Sequence, residues 1–180
     1  MLINLFSKES PDYSATVTQL DDIYEKRSFG AEDNRYKQWF ITVKAQQSGE
    51  DRALLQKYVV NASPVANLHP LVAPALRLSE MYYIAAEASF DQNPQAALAY
   101  YNTLRRNRGI PDDVTTVADK KMFVDLLITD ARKEFYGESQ AFYMYKRLNH
   151  AVRVSETQSI SPSDRIFVFP VPATELNTNQ

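Results

Sequence analysis

The residues of this chain that are able to do chemistry are few, and they are badly spaced for it. His69 and His150 stand in a Pro-flanked segment and behind a helical pattern, and neither has a second histidine at ligand spacing. A metal centre needs several such donors converging on one point, so no metal site is expected. The carboxylate pairs Asp21–Asp22 and Asp112–Asp113 are adjacent in sequence. Adjacent side chains on a helix or turn diverge, whereas a glycosidase pair must face across one bond. They read as helix-start and turn residues. Glu80 and Glu87 share a predicted helix with Arg77; a metal pair and an ion-paired polar stripe both fit, and helix pairing rules favour the stripe. There is no Gly-x-Ser-x-Gly elbow and no His-Glu-x-x-His motif. A phosphate-cradling loop needs clustered glycines, and the chain has only four, none of them clustered. Without cysteine there is no disulfide, thiolate ligand or thiol nucleophile. Neither a catalytic residue nor a cofactor is expected.

What remains is aromatic and basic. The chain holds eleven tyrosines, nine phenylalanines and one tryptophan, so tyrosine is the unusual excess. Rigidly held aromatic faces stack on sugars and also fill cores. Trp39 and Tyr36 are the candidate ligand contacts, because they lie outside the strongest helical patterns; packing is the competing reading. Arg105, Arg106 and Arg108 crowd one predicted helix end. They suit an anion or, more ordinarily, the negative end of the helix dipole. Lys+Arg total 20 against Asp+Glu 22. Phosphate recognition needs a basic surface, so nucleic acid is not the expected partner. The composition, 44% apolar and 23% charged, is that of a folded domain. The first residues lack a signal-peptide pattern, and no stretch reaches the ~18 apolar residues of a membrane span.

The elements that must carry these residues follow from periodicity. Ser14–Ser28 reads as a short helix on Val17, Leu20, Ile23 and Tyr24. Tyr36–Val43 has strand composition, with Leu54–Val60 as its returning partner. Residues 61–74 are Pro-rich and read as a connector. Ala75–Phe90 is a helix with apolar residues nearly all round, which implies packing on more than one side. Asn93 and Pro94 start the next helix and Gly109 ends it. Tyr82, Tyr83, Tyr100 and Tyr101 fall on this pair as expected core. Val117–Tyr136 reads as a long amphipathic helix with Phe123, Leu126, Leu127, Ala131 and Phe135 buried and Asp125, Asp130, Arg132 and Lys133 outside. Helix resumes over Gln140–Leu148 beyond Gly137. A polar loop and a short strand over Arg165–Phe169 complete the chain.

The two central helices resemble one tetratricopeptide-like hairpin. Three blocks in order carry a wider resemblance: LRLSEMYYIAAEAS with AALAYYNTLRRNRGI, then ARKEFYGESQAFYMYKRL, then Phe169-Pro170-Val171-Pro172-Ala173-Thr174-Glu175. Over about residues 75–180 these are similar to the SusD/RagB family of outer-membrane nutrient-binding lipoproteins. The Asp33-Asn34-Arg35…Trp39-Phe40 piece fits more loosely. Ser139-Gln140-Ala141 and Met144 depart from the family pattern and mark a divergent subgroup.

The resemblance implies a mostly α fold: a tetratricopeptide-like helix hairpin plus long amphipathic helices, with a few short strands and long loops. Residues 1–72 would form an irregular, short-helix and hairpin segment of the same unit, and 73–180 the SusD-like helical region. It implies glycan or other nutrient binding without catalysis, on the bacterial outer membrane. The partner would be a SusC-like TonB-dependent transporter. Membrane attachment would come only through a lipid anchor absent from this chain. Family members are about three times longer, so this chain is expected to be a C-terminal part. A helical protein-interaction scaffold without its own ligand is the alternative.

Overall fold

The computed structural model describes residues 14–26, 32–44, 49–57, 76–155 and 157–172. The architecture is mostly helical with a few short strands, as expected. The chain divides into two compact units, Met1–Gly137 and Glu138–Gln180.

The first unit begins with β1 (Ala15–Thr16) and α1 (Val17–Ile23). Thr16 accepts from the Gln19 amide at 3.1 Å while the Gln19 side chain accepts from the Thr16 amide at 3.0 Å. This reciprocal cap satisfies two amides that have no partner within the helix. Leu20 and Tyr24 are the buried members of its apolar stripe. Next come α2 (Asn34–Trp39), β2 (Phe40–Lys44) and β3 (Asp51–Leu55). The sheet runs β1-β3-β2, all antiparallel, with Phe40 opposite Leu55 and Lys44 opposite Asp51.

The hairpin expected from strand composition therefore exists, with shifted bounds. Tyr36–Trp39 is helical rather than extended because Asp33 caps the segment, accepting from the Arg35 amide at 2.9 Å. A local cap outweighs the weak β preference of two aromatic residues. The returning strand starts at Asp51 and ends at Leu55. Residues 58–60 of its expected span, and the expected connector 61–74, lie outside the described residues.

α3 (Leu78–Ser89) and α4 (Pro94–Asn107) form the helix hairpin. Asn93 accepts from the Ala96 amide at 3.1 Å, and Pro94 takes the first helical position. α3 packs against both α4 and α5, as its breadth of apolar residues implies, but part of its apolar surface stays exposed. Tyr83 and Ala86 are buried, but Leu78 is 72% exposed, Ile84 53% and Met81 44%. The tyrosines divide likewise: Tyr83 and Tyr101 are core, Tyr82 is partly buried, and Tyr100 is exposed. Tyr82 and Tyr100 meet edge to face at 6.3 Å.

α5 (Lys120–Glu134) starts at Asp119, whose carboxylate accepts from the Met122 amide at 2.7 Å. Phe123, Leu127, Ile128 and Ala131 are buried, and Phe123 stacks on Phe90 at 4.5 Å. Phe123, Leu127 and Ile128 each contribute about 1.5–3 kcal/mol by burial. α5 forms the floor on which both the hairpin and α1 rest.

The second unit holds α6 (Gln140–Arg147), a two-residue pairing of β4 (Val152–Arg153) with β5 (Ser159–Ile160), and α7 (Asp164–Phe167). The strand expected over Arg165–Phe169 is instead a helical turn. The Ile166 and Phe167 amides close back on the Ser163 carbonyl at 3.0 and 3.1 Å, and Phe167 packs edge to face on Phe142 at 5.9 Å.

Candidate functional site

Both sequence-predicted contacts lie on α2, three residues apart, and both rings are partly buried. Tyr36 is committed to the fold. Its hydroxyl donates to Asp21 at 2.6 Å and accepts from Lys26 at 2.9 Å. Its ring meets Tyr24 edge to face at 5.8 Å. Burial and the hydrogen bond to Asp21 push its phenol upward from the ordinary value. Trp39 lies where the sheet begins, and its carbonyl accepts from the Gln56 amide at 2.6 Å. The Lys57 ammonium stands 4.0 Å above the Trp39 ring centre. Lys26 stands 4.9 Å above the Tyr36 ring. Each candidate aromatic face is thus capped by a lysine.

Directly behind this surface lies a buried ionic cluster. Arg35 is its centre, with one N–H of Nη2 donating to Asp33 at 2.7 Å and the other to Asp130 at 2.7 Å, while Nη1 donates to Glu134 at 3.2 Å. Arg108 grips both Glu134 oxygens at 2.8 Å, a bidentate fork. Arg77 approaches Glu134 at 3.5 Å, and Tyr83 donates to the other Asp130 oxygen at 2.6 Å. Three guanidinium groups therefore face three carboxylates. Buried charge is tolerable only when paired and hydrogen-bonded in this way.

The cluster also completes the end of α5. The last carbonyls of a helix have no partner within it. Here Tyr24 donates to the Lys133 carbonyl at 2.9 Å, and Lys57 and Arg77 donate to the Glu134 carbonyl at 2.7 and 3.0 Å. Cations at this end also oppose the helix dipole. Lys133 is buried and pairs with Glu25 at 2.5 Å.

Electrostatics follow the geometry. Burial alone would push the Asp130 carboxyl up, but the Arg35 charge and hydrogen bond, with Lys133 and Tyr83, hold it down at about 2. For Glu134, burial pushes up and is outweighed by Arg108, then Arg35 and Arg77, so it too is lowered. Burial raises the phenols of Tyr24, Tyr83 and Tyr101.

This corrects the sequence reading at several residues. Asp130 and Lys133, expected outside the buried stripe of α5, are inside it. Arg77 belongs to the cluster rather than to a solvated stripe. Arg108 binds Glu134, Arg105 is buried and donates to the Asp112 carbonyl at 3.0 Å, and Arg106 pairs with Asp113 at 2.6 Å. The carboxylate pairs do not converge: Asp21 serves Tyr36, and Asp113 serves Arg106. A signal was present in Asp33-Asn34-Arg35, where two opposite charges bracket a helix start.

Gly109 locks this arrangement together. Its φ is +83°, and a Cβ would lie 2.7 Å from the Asn34 side-chain nitrogen and 2.9 Å from the Glu32 carbonyl. The adjoining Asn34 amide donates to the Arg108 carbonyl at 2.8 Å. Gly109→Ala is expected to destabilise by about 2 kcal/mol, from the left-handed backbone and the clash. A urea midpoint unchanged from wild type would contradict this close approach.

Among the described residues no group of three or more histidine, aspartate or glutamate side chains is placed to hold a metal ion. No described helix is long and apolar enough to cross a membrane. The buried charges thus join segments of the fold, and the Tyr36 and Trp39 rings on α2 are partly buried.

The SusD family model matches residues 13–159, most of the chain and including the Asp33-Asn34-Arg35 segment. This chain belongs to the SusD family. A SusD superfamily protein from Bacteroides vulgatus has a similar structure, with a TM-score of 0.66 at 22% identity over 98% of this chain. A SusD-like protein from Bacteroides fragilis aligns over 72% of the chain with a TM-score of 0.50 and 24% identity. At these identities the likeness is one of fold. The chain spans 40% and 28% of the lengths of these two relatives. Among curated proteins no sequence matches it.

Proposed function

We propose that this chain is the C-terminal part of a surface nutrient-binding protein that captures glycans at the bacterial outer membrane and performs no chemistry on them. It would serve a SusC-like TonB-dependent transporter, with attachment to the membrane through a lipid anchor outside this chain. The observation that carries this reading is the family match across residues 13–159. Trp39 and Tyr36 are the proposed ligand contacts, since their rings are partly exposed on one short helix. Sugar recognition by an aromatic edge needs that edge to be rigid, and the cluster behind α2 supplies the rigidity.

The test is a glycan array and thermal-shift screen on the full-length protein. Stabilisation by one sugar class supports the reading, since a ligand that binds the folded state raises its melting temperature. No response to any sugar, together with no co-purifying transporter, would refute it.

A second reading is a helical scaffold that binds another protein. It is favoured by the apolar face of α3, where Leu78, Met81 and Ile84 are exposed at helical spacing. Contiguous exposed apolar surface commonly marks a protein contact. Co-purification of a partner without any sugar response would select this reading.

A further inference from the structure

We infer that the outer face of α3 seats a helix from the part of the parent polypeptide that lies outside this chain. This rests on the reading above that the chain is part of a longer protein, and it is independent of the ligand. α3 is apolar well beyond the arc that packs on α4 and α5. Tyr83, Ala86 and Phe90 form the buried side, with Tyr83 meeting Phe135 at 5.8 Å and Phe90 stacked on Phe123. Leu78, Met81, Ile84, Ala85 and Ala88 recur at spacings of three and four on the opposite side of the helix. All but the partly buried Ala85 are exposed. A surface helix ordinarily gives that side to polar residues. α4 does so: its outer face is mainly polar, with Gln95, Thr103, Arg106 and Asn107. The hairpin is therefore finished on its α4 side and unfinished on its α3 side.

The occupant follows from the stripe and from the length of the relatives. This chain matches only 40% of the Bacteroides vulgatus protein, so more than half of that polypeptide is further chain able to cover such a face. A permanent contact resembles a core cut in half, with no charge through its centre. The α3 stripe has that character from Leu78 to Ala88. Ala85 and Ala88 are small, and the side chains at a helix contact set how closely two axes approach. The stripe is thus shaped for a second helix lying along it. Glu80 edges the stripe and has no ion pair among the described residues. The seated helix is expected to flank its own apolar stripe with a lysine or arginine there. A second copy packed antiparallel would turn the Glu80 edge toward its own counterpart, where like charges repel.

The chain has no cysteine, so Ile84→Cys places a single thiol on the stripe. Cysteine is itself a small apolar residue and keeps the seat apolar. Maleimide labelling at residue 84 is followed by peptide mass in the 180-residue chain and in the full-length protein. It is expected to be at least about ten-fold slower in the full-length protein, because a covered thiol reacts only when the contact opens. Met81→Gln combined with Ile84→Gln is expected to lower the melting temperature of the full-length protein by about 5 °C or more. The same pair is expected to shift the 180-residue chain by less than about 2 °C, since those positions already face water there. The thiol readout stands even where the double variant does not fold. Equal labelling rates in the two proteins overturn the inference, because the rest of the polypeptide then leaves α3 uncovered. Slow labelling in the 180-residue chain that speeds up on dilution also overturns it and assigns the face to a second copy. Either result leaves the sugar screen untouched, and a failed sugar screen leaves the α3 seat standing.

Discussion

Arg35→Met is expected to remove about 3–5 kcal/mol of folding stability, the scale for breaking a buried ion pair from one side. The side chain is replaced by one of similar length that carries no charge. Asp33, Asp130 and Glu134 then lose a partner shared among all three. Arg108 and Arg77 still hold Glu134, but Asp33 and the Asp130 oxygen at 2.7 Å are left facing an apolar group. A domain of this kind has about 5–15 kcal/mol in total, so the variant stands near the threshold of unfolding. Arg35→Lys is expected to recover little, because one ammonium cannot span three carboxylates that a planar fork reaches together. Arg106→Ala breaks only an exposed pair with Asp113 and is expected to shift stability by less than about 1 kcal/mol. Urea unfolding of the three variants measures the contrast. Equal midpoints for Arg35→Met and Arg106→Ala would remove the cluster from its place as the organising centre of the fold.

Acid is expected to dismantle the same cluster. Asp130 ionises at about 2 in the folded chain against 3.8 in the unfolded one, and Glu134 is lowered in the same direction. A depressed carboxyl binds fewer protons folded than unfolded in the interval between its two pKa values. Its stabilisation is therefore complete above the unfolded value and is lost as the pH falls through the folded one. For Asp130 the difference corresponds to about 2 kcal/mol, with a further loss from Glu134 in the same direction. Stability measured by urea should be level from neutral pH down to about 5 and then fall steeply as Asp130 and Glu134 begin to take up protons. Asp130→Asn, less stable at neutral pH, should fall less steeply below pH 4. Parallel acid curves for the variant and the wild type would show that Asp130 does not carry the effect.

Most of the helical architecture was legible from periodicity and caps. Asn93-Pro94 and Gly109 bracket α4 as expected, since cap chemistry is local and needs no knowledge of the rest of the chain. The hairpin was legible in outline. Its first strand begins at Phe40 rather than Tyr36, because the Asp33 cap competes with β propensity over only a few residues. The turn at Asp164–Phe167 is not legible for a related reason: a short run of apolar and β-branched residues does not distinguish a strand from one helical turn.

The amino-acid sequence by itself determined the element types of the long segments, the absence of cysteine chemistry, and the order of motifs that resembles the SusD family. These are properties of residues close along the chain. Tertiary structure alone decided which charges are buried. Asp130, Lys133 and Glu134 are polar residues on an amphipathic helix, and their polarity alone argues for the outside. Asp130 and Glu134 are inside because Arg35, ninety-five residues from Asp130, reaches them from another element, and Lys133 because Glu25 pairs with it. Tertiary structure also decided that α3 leaves an apolar side exposed and that Trp39 lies under a lysine. Pairing across such distances depends on how the elements fold onto one another, and residue spacing along the chain does not encode it.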